Sequence, residues 1–369
     1  MNIAIDVSPM AEFRTGTEEY IEGLVWGLQR AGVSVVGLGR PDAVLLPDKP
    51  GLGLPPRPPL TPWKKWWWET YGVRRVMPGT DCLHIPYLAH PPVKLAVPTV
   101  VTVHDVIPFI LPEYRHRVRE HAYFAQVRRH LPRADALVAI SEATRRDIAA
   151  VMPELTDRVT VILNGVHPMY FQGTEVQTVD HIIRRLGLRR HPRFLYVGGY
   201  DERKNVPLLI RAMRPVFEKL GDGELILVGA RNFLPVHRVI ADEKLQERVI
   251  VTPYLAREDI VALYQAADIF VFPSRYEGFG LPPAQALAMG VPVVAGNTPA
   301  VAEVVEDSAV LVPPDALDDW VEALYQVAVS PALAHKLAAQ GRIRAEALKW
   351  EAVARAYQTL YQRVIQGRR

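Results

Sequence analysis

The feature that most restricts what this chain can fold into is a repeated alternation. Short apolar, β-branched runs recur at 2–7, 33–38, 43–46, 82–85, 99–103, 136–140 and 159–163, then at 194–197, 225–228, 249–251, 269–272, 291–295 and 310–312. Most are continuously hydrophobic, as strands buried on both faces are. Stretches with helical spacing separate many of them. One covers 17–29, with Tyr20, Ile21, Leu24, Val25 and Leu28 on one stripe, and others cover 205–220, 257–267 and 318–340. Strands alternating with helices predict α/β structure, with parallel sheets covered by helices on both faces.

Two such series in 369 residues predict two doubly wound domains, at roughly 150 residues each. The break is expected in the polar stretch 173–191, which has no strand signal. This gives a first domain over 1–175 and a second over 190–347. The closing segment, 348–369, reads as one long helix, because Trp350, Val353, Ala354, Tyr357, Leu360, Tyr361 and Val364 keep helical spacing. Segment 47–63 is irregular, since its seven prolines forbid a helix and break any central strand. Trp63, Trp66, Trp67 and Trp68 follow, interleaved with Lys64 and Lys65. This basic aromatic cluster could rest on a membrane surface or grip an acceptor, or simply pack as a loop edge into the first domain.

Several function classes fall away. Forty-three Lys and Arg against 40 Asp and Glu leave a net charge of +3, too small a surplus to suggest a nucleic-acid partner. The lone Cys82 rules out an intramolecular disulfide and a Cys-based zinc site. The 11 histidines form no His-Glu-x-x-His, and no loop carries Asp-x-Asp, so no metal site is expected. The opening MNIAIDVSPM reads as a strand rather than a signal peptide, and no apolar run reaches ~18 residues. A cytoplasmic protein is expected, with Trp63–Trp68 the one place for peripheral membrane contact.

Open parallel sheets bind ligands beyond the carboxyl ends of their strands. After the first strand, Gly16 and Thr17 open a helix, where backbone amides can approach a phosphate or simply make a connection. After the run 99–103 come His104 and Asp105; a histidine there can orient a polar ligand or serve structure alone. After 194–197 the chain reads GGYDERKN, which lacks the P-loop spacing. The adjacent Arg203 and Lys204 suit a diphosphate, or are the ordinary surface charges of a helix start. The densest signal is FPSRYEGFGLPPAQALAMG over 272–290, where a buried strand ends, glycines permit a tight turn and Pro282-Pro283 start a helix. Glu277 on the turn and residue 285 one helical turn later could face the same ligand.

SRYEGFGLPPAQALAMGVPVVAGN resembles the nucleotide-sugar site of the retaining glycosyltransferases called group 1, or family 4, which have the GT-B fold. RTGTEEY, WWWETYGVRRV, VHDVIPFILPEY, ISEATRRDI, VILNGVHPMYF, YVGGYDERKNV and the closing KWEAVARAYQTLYQRVI fall in the family's order. The resemblance implies two Rossmann-like domains facing a cleft, with the C-terminal helix crossing back to the first. It implies that Gly16 and Thr17 face the donor phosphates, with Asp105 also on the binding side. His104 contacts the transferred sugar, and Arg203 and Lys204 stabilise the leaving diphosphate. Glu277 contacts the sugar, the amides of Gly278, Phe279, Gly280 and Leu281 meet phosphate, and position 285 holds the ribose hydroxyls.

Two departures stand out. The second of the family's paired glutamates is Gln285 here, and Gly199 stands where many members carry arginine, leaving Arg203 as the second cation. The resemblance implies a metal-independent, cofactor-free hexosyltransferase that uses a nucleoside-diphosphate sugar, with GDP-mannose the first expectation. The acceptor would be a glycan, lipid-linked or small-molecule hydroxyl. An epimerase or phosphorylase on the same fold, or a non-catalytic nucleotide-sugar-binding protein marked by Gln285, are the alternatives.

Overall fold

The computed structural model describes residues 1–7, 16–38, 43–45, 79–92, 95–111, 118–230 and 233–368. The expectations placed on 47–63, on Trp63–Trp68 and on 8–15 lie outside the described residues. The chain divides into two compact units, Met1–Gly165 with Leu348–Arg369, and Val166–Ala347.

The first unit is built on β1 (Asn2–Asp6), β2 (Ser34–Leu38), β3 (Ala43–Leu45), β4 (Cys82–Ile85), β5 (Thr99–Val103), β6 (Ala136–Ala139) and β7 (Val159–Val161). Their order is β3-β2-β1-β4-β5-β6-β7. All neighbours are parallel except β3, which runs antiparallel to β2 at the edge, a departure from the all-parallel expectation. Alternate residues feed two cores. Ile3, Ile5, Val100 and Val138 face helix Gly16–Arg30 and the C-terminal helix, whereas Ala4, Leu83, Val101, Leu137 and Ala139 face the other side. That double burial is why these strands carry no polar alternation.

The C-terminal helix Trp350–Arg368 belongs to this unit. Trp350 is 1% exposed and fills a cradle formed by three residues without a Cβ. A Cβ added at Gly23 or Gly165 would overlap its indole ring, and one at Gly27 would sit 2.7 Å from its carbonyl oxygen. Gly23 and Gly27, four residues apart, make one groove along helix Gly16–Arg30.

The second unit holds β8 (Arg193–Val197), β9 (Glu224–Val228), β10 (Val249–Val251), β11 (Ile269–Phe272), β12 (Val293–Gly296) and β13 (Ala309–Val312). They form a fully parallel sheet in the order β10-β9-β8-β11-β12-β13. In both sheets the strand order reverses beside a central strand, between β1 and β4 and between β8 and β11. These switch points are where open sheets receive ligands.

Two expectations need correction. The units divide at Gly165 rather than within 173–191. That stretch contains helix Val176–Leu186, whose Ile182 is fully buried, and Tyr170 just before it stacks edge-on to Tyr264, so it packs as part of the second unit. The expected single helix over 318–340 is two, Leu317–Val329 and Pro331–Glu346. Proline cannot continue a helix, and Ser330 caps the second one by accepting from the Leu333 amide at 3.3 Å. Among the described residues no helix is long and apolar enough to cross a membrane.

Candidate functional site

In the second unit, the loops after β8 and β11 bring four charges together at the switch point. Asn205 has a left-handed backbone (φ 54°), which ends the short 3-10 turn Glu202–Lys204 and starts helix Val206–Leu220. Its side chain donates to the Pro314 carbonyl at 2.7 Å, pinning this corner. The backbone amide of Arg275 donates to the Arg203 carbonyl at 2.7 Å, tying the two loops to each other.

Around Glu277 the side chains then fall into place. Lys204 Nζ donates to its Oε1 at 2.6 Å and Arg203 donates to its Oε2 at 3.0 Å. Ser274 adds a hydroxyl at 2.5 Å. Arg203 also reaches Asp201 at 3.0 Å and the Tyr276 carbonyl at 3.0 Å. Lys204 is 8% exposed and its ammonium lies 5.2 Å from the centre of the Phe272 ring, which adds a cation–π contact. Two carboxylates and two cations balance in this cluster, so an arriving anion meets preorganised positive groups without leaving them unpaired in its absence.

The turn itself depends on Gly280, whose φ of 98° lies in the region that disfavours side chains. It caps helix Leu281–Met289, and Pro282 and Pro283 occupy first-turn positions where a missing N–H costs little. Phe279 is buried, so only its backbone can meet a ligand. Gln285 is also buried, near the Tyr264 hydroxyl. At Gly199 a Cβ would stand 3.2 Å from Asp201 Oδ2 and 3.9 Å from Lys204 Cε. A side chain there would point into the charge cluster that Arg203 and Lys204 form with Asp201 and Glu277.

In the first unit, His104 follows β5 and its Nε2 lies 2.9 Å from the Pro86 carbonyl oxygen beyond β4. A carbonyl only accepts, so Nε2 carries the proton and Nδ1 keeps a lone pair. Burial pushes the His104 pKa down to about 4, against a smaller upward pull from that carbonyl, so the ring is neutral near pH 7. Tyr20 packs edge-on against it, with centroids 4.8 Å apart. Asp105 Oδ1 accepts from the Ile107 amide at 3.1 Å, starting the short helix Ile107–Ile110. Gly16 is exposed at the start of its helix, where an added Cβ would meet none of the described residues within 4 Å, and Thr17 is half-buried beside it.

Sequence reasoning missed the polar network behind His104. Tyr361 O–H meets His84 Nδ1 at 2.6 Å, and His84 Nε2 meets Thr102 Oγ1 at 2.8 Å. Thr102 meets the Tyr20 hydroxyl at 2.9 Å, which donates to Tyr357 at 2.7 Å. One direction of proton donation satisfies the chain from Tyr361 to Tyr357, with His84 neutral. Burial, then the neighbouring His104, pushes the His84 pKa down to about 3. The network ties the C-terminal helix to β4, β5 and Tyr20. No local pattern signals it, because its members are drawn from four separate segments. Ser274 and Asp201 were likewise unassigned, although Ser274 lies inside the densest motif. Among the described residues, no three His, Cys, Asp or Glu side chains gather as a metal site.

Known proteins resemble this chain in sequence and in fold. Residues 14–169 match the family described as Glycosyltransferase Family 4, and residues 179–344 match Glycosyl transferases group 1. Over 255 residues the chain is 27% identical to the O-antigen chain mannosyltransferase B of Escherichia coli, covering 68% of this chain and 67% of that one. Over 242 residues it is 31% identical to the D-inositol 3-phosphate glycosyltransferase of Corynebacterium aurimucosum, covering 62% and 56%. The matched part thus spans about two thirds of the first relative and little over half of the second. A sucrose-phosphate synthase from Thermosynechococcus elongatus has the same fold, with a TM-score of 0.79 at 22% identity over 99% of both chains. The two Rossmann-like units of this chain have the GT-B fold. With both halves matched in order by the family's own two domains, the chain belongs to the group 1, family 4 glycosyltransferases.

Proposed function

We propose that this protein transfers a hexose from a nucleoside-diphosphate sugar to a hydroxyl group of a glycan, lipid-linked or small-molecule acceptor, with retention of configuration and without a metal ion. The observation that carries the reading is the Lys204–Arg203–Glu277 cluster at the β8/β11 switch point. In the reaction the bond from the anomeric carbon to the diphosphate oxygen breaks, leaving an oxocarbenium-like sugar and a more negative diphosphate. The acceptor oxygen bonds to the anomeric carbon on the same face, and its proton passes to the leaving phosphate oxygen. The protein's main task is to stabilise the charge growing on the diphosphate. Lys204 and Arg203 supply two positive groups for it, and this is the support for metal independence.

Glu277 is assigned to positioning the sugar rather than to nucleophilic attack. Its carboxylate already accepts from Lys204, Arg203 and Ser274, which lowers its electron-donating power. His104 is assigned to the transferred sugar, with the unprotonated Nδ1 accepting from a sugar hydroxyl. Gly16, Thr17 and the amides of Gly278–Leu281 are assigned to phosphate, and Gln285 to the ribose. Asp105 acts by holding the start of helix Ile107–Ile110 next to His104.

GDP-mannose is the first donor to try, because one of the relatives described above is named a mannosyltransferase. The test incubates the protein and EDTA with GDP-mannose, UDP-glucose and other sugar nucleotides, each with a panel of acceptors. The expected result is acceptor-dependent release of one nucleoside diphosphate and a product with the donor's anomeric configuration by NMR. No release with any pair overturns the reading. An inverted product overturns retention, and activity that needs added Mg²⁺ overturns metal independence.

A further inference from the structure

The loop that follows β8 closes against the side chain of Tyr196. Tyr196 is fully buried, and its ring stacks on Phe272 with centroids 6.3 Å apart and planes 20° apart. Phe272 is also the ring that meets the Lys204 ammonium at 5.2 Å. Burial pushes the Tyr196 pKa well above its ordinary value of 10, so the phenol keeps its proton. That proton is donated to the Gly199 carbonyl oxygen at 2.5 Å. A Cβ at Gly198 would stand 2.7 Å from the same phenol oxygen, so glycine lets the loop lie this close.

A trans peptide is planar, and its C=O and N–H point in opposite directions. The Gly199–Tyr200 peptide is trans. With the Gly199 oxygen drawn inward to the phenol, the Tyr200 amide hydrogen is turned outward, to the side on which Gly199 is exposed. Among the described residues that amide meets no acceptor. A backbone N–H is an obligatory donor, so it is satisfied by whatever occupies the space in front of the loop. That space adjoins the cations, since a Cβ at Gly199 would lie 3.9 Å from Lys204 Cε.

We propose that Tyr196 is a positioning residue for the donor. By holding the Gly199 carbonyl it turns the Tyr200 amide towards the sugar-bearing phosphate, as a neutral donor beside Lys204 and Arg203. This rests on the reading of the charge cluster given under the proposed function. At position 199, where many members of the family place an arginine, this chain has no side chain and offers a fixed peptide amide next to it. The amide adds a hydrogen bond without adding a charge. It needs no reorganisation when the anion arrives, because the phenol sets its direction beforehand.

The test measures binding of UDP, GDP, ADP and dTDP, and of the matching nucleoside monophosphates, to the full chain by isothermal titration. For whichever base binds, the wild type should favour the diphosphate. Tyr196→Phe keeps the ring and its stacking and removes only the donor. Its affinity for the diphosphate should fall about 5- to 20-fold, as loosening one hydrogen bond to a charged group allows, with the monophosphate changed less than about twofold. Gly198→Ala, whose methyl group presses on the phenol oxygen from the loop side, should lower the same ratio. A purely structural role for Tyr196 would lower Tm and weaken both ligands alike, leaving the ratio intact. An unchanged ratio in either variant, or equal losses for the two ligands, overturns the proposal while the wild type's binding leaves the nucleotide-sugar reading standing. If none of the diphosphates binds the wild type, that reading fails first, and the proposal falls with it.

Discussion

Replacing Lys204 with alanine separates a catalytic role from a structural one. Its ammonium is nearly excluded from water, 2.6 Å from Glu277 and over the Phe272 ring. A unit pair ~4 Å apart at an effective dielectric of 20 is worth about 4 kcal/mol. The diphosphate is already charged when bound, so only the charge added as the glycosidic bond breaks counts towards turnover. Sharing that charge with Arg203 leaves Lys204 with about 2 kcal/mol at least and about 4 at most. That corresponds to a fall in kcat of roughly 30- to 1,000-fold. The cost in stability is smaller, because Glu277 keeps Arg203 at 3.0 Å and Ser274 at 2.5 Å and is not left unpaired. A loss of about 1–2 kcal/mol lowers Tm by roughly 2–8 °C, short of the 3–5 kcal/mol seen when a buried charge is orphaned. The assay is kcat at saturating donor beside a circular-dichroism melt. A folded Lys204→Ala protein with kcat within threefold of wild type would refute the reasoning.

Three more expectations follow from the geometry. Gly23→Ala drives a methyl group into the Trp350 indole, so overpacking should cost about 1–3 kcal/mol, read as a Tm drop of roughly 2–12 °C; an unchanged melt would show that the cradle is slack. His84 has a folded pKa of about 3 against an ordinary 6.5, so the unfolded chain binds the proton first. Its contribution to stability is therefore intact above pH 6.5 and is lost as pH falls towards 3, by about 2 kcal/mol at pH 5. Urea unfolding at pH 7.5 and pH 5.0 should show this difference shrinking in His84→Gln, and an unchanged difference would contradict it. His104→Ala should cut kcat/KM with the full sugar nucleotide about tenfold while leaving the affinity for the bare nucleoside diphosphate intact. An equal loss for both ligands would move His104 away from the sugar.

Much of the fold was legible because fully buried parallel strands write themselves as continuous apolar runs. All the expected runs appear as strands, within a residue or two at their ends. The edge strand β3 could not be oriented from its sequence, since an apolar run carries no direction. The helix Val176–Leu186 was legible in its spacing, since Val176, Val179, Ile182, Ile183 and Leu186 fall on one stripe, and its charged opposite face was misread as a linker. Pro331 should have ended the helix before it, and helical spacing on both sides masked the break. At the site, the motif residues Arg203, Lys204 and Glu277 do meet, although 73 positions separate Lys204 from Glu277. What joins them, the Asn205 corner and the Arg275 amide, is backbone geometry with no residue pattern of its own. The Tyr20–His84–Thr102–Tyr357–Tyr361 network and the Gly23–Gly27–Gly165 cradle are tertiary arrangements, visible only once the C-terminal helix is placed.

The central claim is that the second unit's charge cluster binds a nucleoside diphosphate through its own cations. Thermal-shift titration with UDP, GDP, ADP and dTDP, each with and without EDTA, tests it most directly. A ligand at ~100 times its Kd stabilises by about 2.7 kcal/mol, a readable shift of several degrees. The account predicts a shift with at least one of the four that is indifferent to EDTA and clearly smaller in Lys204→Ala. No shift with any of them, or the same shift in Lys204→Ala, would contradict it.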